Sequence, residues 1–229
     1  MQKRTKIILI VILLLILGGL MYWQFYQEET SPNRFIGNNS LGTVEKHIYG
    51  NASAENSIVI ITGMHPRERL AINPEIKAAK DYASNRSDLN IIHYQVNVTK
   101  DPKIYKNGRA NGESLVHDFV VPDIANTNAK AVIISHSHIE DYGEGFYLAT
   151  PAMDNASVDI AYKINNTTDF NYYPRTGNES YKSTSATLVS KPIADLGYPT
   201  FVYEVPENIT AKDSRSKTME LFDLLFKYA

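Results

Sequence analysis

The chain has 229 residues, with 23 Lys and Arg set against 25 Asp and Glu, a formal charge of −2, and no cysteine. The missing cysteines exclude disulfide support and a thiolate metal site, so stability must come from a buried core. The balanced charge, without a basic patch or a phosphate-cradling glycine loop, excludes nucleic acid as a partner.

In chain order, Ile7 to Trp23 is a nearly unbroken apolar stretch of 17 residues behind Lys3, Arg4 and Lys6. It is just long enough to cross a hydrocarbon core, and its basic flank keeps the N-terminus in the cytoplasm. Tyr22, Trp23, Phe25 and Tyr26 suit an interfacial aromatic belt. A cleaved signal peptide is the competing reading, but Gly18-Gly19-Leu20 lacks a small-x-small cleavage site. Residues 1–26 are therefore expected to be a membrane anchor, with the remainder outside the cytoplasm. Without Lys3, Arg4 and Lys6 that remainder carries about −5. Asn-x-Ser/Thr triplets at Asn51, Asn97, Asn178 and Asn208 fit a surface protein. Residues 27–44, containing Ser31-Pro-Asn and Gly37-Asn-Asn-Ser, read as a linker. Residues 45–229 are enough for one well-buried domain.

Within that domain the strand candidates are 57–62, 90–98, 130–135, 145–149 and 199–204. Helix candidates are 74–85, with Asn73 as N-cap and Pro74 at the first position, then Ala156–Ile164, 183–196, and 211–227 opened by Thr210. Strands separated by helices predict a single three-layer α/β/α domain with a mostly parallel mixed sheet. The polar stretch 165–185 reads as a loop that could bring Tyr172, Tyr173 or Arg175 to a substrate.

Three strand ends carry chemistry. Ile58-Val-Ile-Ile-Thr-Gly-Met-His65 ends in His65-Pro-Arg-Glu68, where an imidazole and a carboxylate three residues apart can grip one divalent ion. Ala131-Val-Ile-Ile-Ser135 leads into His136-Ser-His138. If the two strands are parallel, His136 reaches the sheet edge of His65 and Glu68, the edge where open α/β sheets bind ligands. Three protein ligands leave a fourth position for water, the signature of a catalytic rather than a structural zinc site. His138 is the rival for His136, because alternate strand positions share a face. Thr200-Phe-Val-Tyr203 delivers Glu204, a carboxylate placed to act as general base. Glu207 is its rival, though Pro206 has already broken the strand. His47, His93 and His117 lack such company and read as structural or surface residues.

The order His-x-x-Glu, strand-end His-Ser-x and late Phe-x-x-Glu resembles the zinc carboxypeptidases and their relatives in the succinylglutamate desuccinylase–aspartoacylase group. The resemblance covers roughly residues 45 to 228. It implies zinc on His65, Glu68 and His136, Glu204 as the catalytic carboxylate, and Arg67 as a substrate-binding arginine. The His-x-Arg-Glu form is that of the carboxypeptidase branch rather than the His-Gly-Asn-Glu of the deacylases. The usual arginine followed by an Asn-Arg pair is not matched: Asn107-Gly-Arg-Ala-Asn-Gly112 supplies Arg109, the only arginine between Arg86 and Arg175. Arg109 can serve as the electrophilic or carboxylate-binding cation; the alternative is a glycine-rich turn with an exposed arginine. The expectation is a membrane-anchored zinc hydrolase cleaving an amide bond in a peptide or acyl-amino acid. The alternatives are an aspartoacylase-like deacylase and a non-catalytic surface binding domain.

Overall fold

A computed structural model of the chain describes residues 10–22, 33–174 and 183–229, in two compact units that divide after Arg34. In the first unit residues 10–22 are helical, with exposed Ile, Leu and Val side chains. No helix among the described residues is long and apolar enough to cross a membrane. The expected span from Ile7 to Trp23 extends beyond the described residues 10–22 at both ends, and Lys3, Arg4, Lys6, Ile7, Trp23, Phe25 and Tyr26 lie outside the described residues. The membrane helix thus stays an expectation.

In the second unit, eight strands form one sheet: β1 (Arg34–Asn39), β2 (Gly42–Gly50), β3 (Ser57–Thr62), β4 (Asn90–Val98), β5 (Ala131–His138), β6 (Tyr147–Ala149), β7 (Asn171–Tyr173) and β8 (Thr200–Pro206). Their order is β1-β2-β4-β3-β5-β8-β6-β7. The central strands β4, β3, β5 and β8 are parallel, while β2 and β6 join them antiparallel. The helices are α1 (Asn73–Ala83), α2 (Tyr105–Leu115), α3 (Asn155–Thr167), α4 (Lys191–Asp195) and α5 (Ala211–Tyr228). A π-helical turn, Val116–Val120, extends α2 towards Ile124, and another, Ala186–Ser190, leads into α4.

Unbroken apolar strands form here because both sheet faces are covered. Side chains alternate along a strand, so Ile58 and Ile60 of β3 pack with α1 and α5, and Val59 and Ile61 pack with α2 and the turn before α4. Ala131 and Ile133 divide from Val132 and Ile134 in the same way on β5. The result is the α/β/α sandwich expected from the alternation of elements. Thr210 and Asp213 open α5 with a reciprocal capping box.

Three expectations need correction. Residues 34–44, read as linker, belong to β1 and the start of β2, which pairs with β4 along its whole length from Gly42↔Val98 to Gly50↔Asn90. Asn73 does not cap α1: Ile72 takes that place without a side-chain cap, after a 3-10 turn at Arg69–Ala71. The stretch 165–185 is not one loop, since α3 runs to Thr167 and β7 follows. Arg175 and Asn178 lie outside the described residues.

Candidate metal centre and catalytic site

The site is built where β3, β5 and β8 end. Gly63, at φ +81°, turns the chain out of β3; a Cβ there would lie 2.2 Å from the Val96 carbonyl oxygen, so only glycine fits. The turn that follows bonds Glu68 N–H to His65 C=O at 3.1 Å. It brings His65 Nδ1 within 2.9 Å of Glu68 Oε1. From β5, His136 Nδ1 comes within 2.8 Å of Glu68 Oε2. His65, Glu68 and His136 each offer a ligand atom, all within 4.8 Å of one another. Metal bonds near 2 Å hold ligand atoms within about 4 Å, so the cluster needs to close by less than about 1 Å. Two imidazole nitrogens and one carboxylate are a donor set that zinc accepts, and other first-row divalent ions accept it too.

The far side of His65 is also held. Its Nε2 lies 3.2 Å from Glu113 Oε1, a carboxylate buried on α2. A carboxylate bonded to the outer nitrogen of a ligand histidine fixes the tautomer and turns the other lone pair inward. Burial opposes charge on His65, yet the Glu68 and Glu113 carboxylates outweigh it and raise its pKa. Burial likewise opposes the Glu68 carboxylate, but His136 and His65 outweigh it and hold its pKa far below the usual range. Glu113 is also lowered, through bonds from His65 and Thr184 that exceed the effect of its burial.

Glu204 of β8 is the Cα partner of His136 across the β5–β8 ladder. It is 7% exposed, and burial pushes its pKa up to about 7 against the pull of His136 and Arg109. A bound cation would add to that pull. Arg109 sits on α2, so the helical reading replaces the glycine-rich turn; its guanidinium donates to Glu68 Oε1 at 2.8 Å. Arg67 is exposed, and its guanidinium and that of Arg109 lie 5.6 and 5.3 Å from the centre of the Tyr105 ring. Both arginines line a cleft of about 310 Å³ with His65, Glu68, His136 and Glu204. Tyr105, Ile139 and Tyr142 form its exposed apolar rim.

The rivals His138 and Glu207 also line the cleft, but neither joins the cluster of ligand atoms. His138 is buried beside the cleft, but its ring nitrogens lie 3.0 and 2.9 Å from the carbonyl oxygens of Ile139 and Gly145. Glu207 is exposed and accepts a bond from Ser137 Oγ at 3.0 Å. His93 is fully buried on β4, 2.8 Å from Thr62 Oγ1, and burial lowers its pKa to about 3. His47 stacks on it, and the exposed His117 meets the Leu188 carbonyl. The Tyr172 hydroxyl is 2.7 Å from Thr150 Oγ1, and neither Tyr172 nor Tyr173 lines the cleft. Glu113 was not foreseen. Its one sequence signal is that it lies four residues after Arg109, which puts both on one helix face once α2 is known to be a helix.

No protein-family model matches the chain, and no curated protein matches it by sequence. Solved structures do match. A metallo-carboxypeptidase from Burkholderia cenocepacia aligns over 90% of this chain and 68% of its own, with a TM-score of 0.54 and 11% identity. The cell shape determinant protein Csd4 from Helicobacter pylori, with product bound, aligns over 80% of this chain and 54% of its own, with a TM-score of 0.53 and 11% identity. The tripeptide-bound form of Csd4 gives 0.52 over 80% and 55%. The fold is that of the metallo-carboxypeptidases. At this identity the likeness is one of fold, and this chain spans roughly half to two-thirds of the length of those structures.

Proposed function

We propose that the chain is a zinc-dependent hydrolase of carboxypeptidase type that cleaves an amide bond in a peptide or acyl-amino acid. The observation that carries this reading is the meeting of His65, Glu68 and His136 at one point, with Glu204 alongside in register. Zinc held there would act as a Lewis acid and lower the pKa of a coordinated water towards about 7. The protein's own groups do the rest. Glu204 takes a proton from the attacking water and returns it to the departing amine. Glu113 keeps His65 oriented. Arg67 and Arg109 offer guanidinium groups to a substrate carboxylate or to the oxygen that gains charge during attack. The apolar rim receives the substrate's side chains. A peptide substrate is favoured because the similar Csd4 structure was solved with a tripeptide.

The test is metal analysis combined with peptide hydrolysis. The zinc-loaded protein is expected to bind one ion and release amino acids from peptides, and the His65→Ala/Glu68→Ala double variant to lose both properties. Undiminished zinc in that variant would overturn the ligand set. We further propose that residues 1–26 anchor the domain outside the cytoplasm, supported by the apolar run from Ile7 and its basic flank. Cell fractionation with and without residues 1–26 tests this, and a full chain found in the soluble fraction would overturn it.

A further inference from the structure

A second, smaller recess adjoins the cleft. Its volume is about 30 Å³, a tenth of the main space. Arg109, His136, Tyr142 and Glu204 stand at the junction, since all four line the two spaces. Behind them the recess is walled by Val202 of β8 and by Ser183, Ser185 and Ser190. His65 and Glu68 do not line it whereas His136 and Glu204 do, so it lies on the β5–β8 side of the centre, next to Glu204. Glu204 is the group that protonates the departing amine, so the residue leaving with that amine comes to rest on this side.

The size is restrictive. One water needs roughly 10–15 Å³ of such volume, so the recess takes about two heavy atoms. A methyl or hydroxymethyl group fits, and an isobutyl or benzyl group does not. The lining is also specific. Ser190 is fully buried, and its hydroxyl has no hydrogen-bond partner. A buried polar group left unpaired is costly, and each such group in a folded chain needs a reason. Ser190 closes the π-helical turn Ala186–Ser190, and such turns are frequent at functional sites. Arg109 at the junction can hold the carboxylate that a released amino acid carries.

We propose that this recess is the specificity pocket for the residue on the amine side of the scissile bond, admitting glycine, alanine and serine, with Ser190 Oγ bonding the serine hydroxyl. The assignment rests on the hydrolase reading above and narrows its substrate class to peptides with a small residue after the cleaved bond.

The experiment uses the zinc-loaded full chain with N-benzoylglycyl-Gly, -Ala, -Ser, -Leu and -Phe. kcat/KM for the alanine and serine substrates is expected to exceed that for leucine and phenylalanine by about tenfold or more. Ser190→Ala is expected to lower the serine-to-alanine ratio about fivefold. Ser190→Val, which fills the recess, should shift preference towards glycine. Leucine or phenylalanine turned over as well as serine, or a serine-to-alanine ratio unmoved by Ser190→Ala, overturns the pocket while leaving the hydrolase intact. A parallel titration with free L-serine, L-alanine, L-leucine and L-phenylalanine, read at the Ser190 amide by NMR, separates the two ideas. A shift with serine but not leucine, in a protein that cleaves none of the peptides, keeps the recess and sinks the hydrolase. Neither cleavage nor a serine-selective shift sinks both.

Discussion

Glu113 and Glu204 are two acids that face the same centre with opposite tuning. Glu204 is raised by burial, whereas Glu113 is lowered by its bonds to His65 and Thr184. Environments that push two acids apart assign them different tasks. Glu204→Gln keeps the shape but removes the proton acceptor, and kcat is expected to fall by about 10²–10⁴ with zinc content unchanged, read by steady-state kinetics beside metal analysis. Glu113→Gln should leave a working base but weaken zinc binding by about 10–100-fold, measured by chelator competition. Affinity unchanged in that variant would reduce Glu113 to a packing role.

The element that sets this geometry is α2, and Gly112 lets it approach. A Cβ on Gly112 would lie 1.7 Å from the Met64 carbonyl oxygen, one residue before His65. Gly112→Ala is therefore expected to cost about 1–3 kcal/mol in thermal or denaturant unfolding, and to weaken zinc binding by moving Glu113. On the opposite face, α1 buries Glu75 completely, where it accepts a bond from Ser135 Oγ. Burial raises its pKa from 4.5 to about 8. The folded state then holds the proton more tightly than the unfolded chain. The stability from this group is complete below about pH 4.5 and is lost as pH rises to about 8, at up to ~1.4 kcal/mol per unit. Glu75→Gln should flatten that part of a stability–pH curve, and an unchanged slope would place the proton elsewhere. The same elements explain what could be read in advance. β3, β5 and β8 announce themselves by apolar runs, so His65, Glu68, His136 and Glu204 were legible as strand-end residues. β2 hides because the core-facing row of Val44, Lys46 and Ile48 is broken by a lysine, whose amine lies 2.7 Å from Asp123 Oδ2. α2 hides because Asn107, Gly108 and Gly112 are poor helix formers, and the contact that makes Gly112 necessary is tertiary. The choice between His136 and His138 was equally closed to sequence, since the local turn that brings the Ile139 and Gly145 carbonyls onto the His138 ring decides it.

At the scale of the molecule, the ligands come from two strands that are distant in sequence and adjacent in the sheet. A cation that binds only the folded form stabilises it by mass action, by about 2.7 kcal/mol at 100 times Kd. For a domain of this size that raises Tm by roughly 5–10 °C. Calorimetry with zinc and with chelator should show the difference, and the His65→Ala/Glu68→Ala protein should show none. The pairing of His136 with Glu204 has a wider consequence. Proton acceptor and ligand are rungs of one ladder, and their spacing is the interstrand distance of about 4.8 Å, a length that no connecting segment can alter. Lengthening or trimming the loops that join β6, α3 and β7 would change which molecules gain access, yet leave the reacting groups in step. Natural variants of this scaffold are expected to differ in diet far more readily than in reaction.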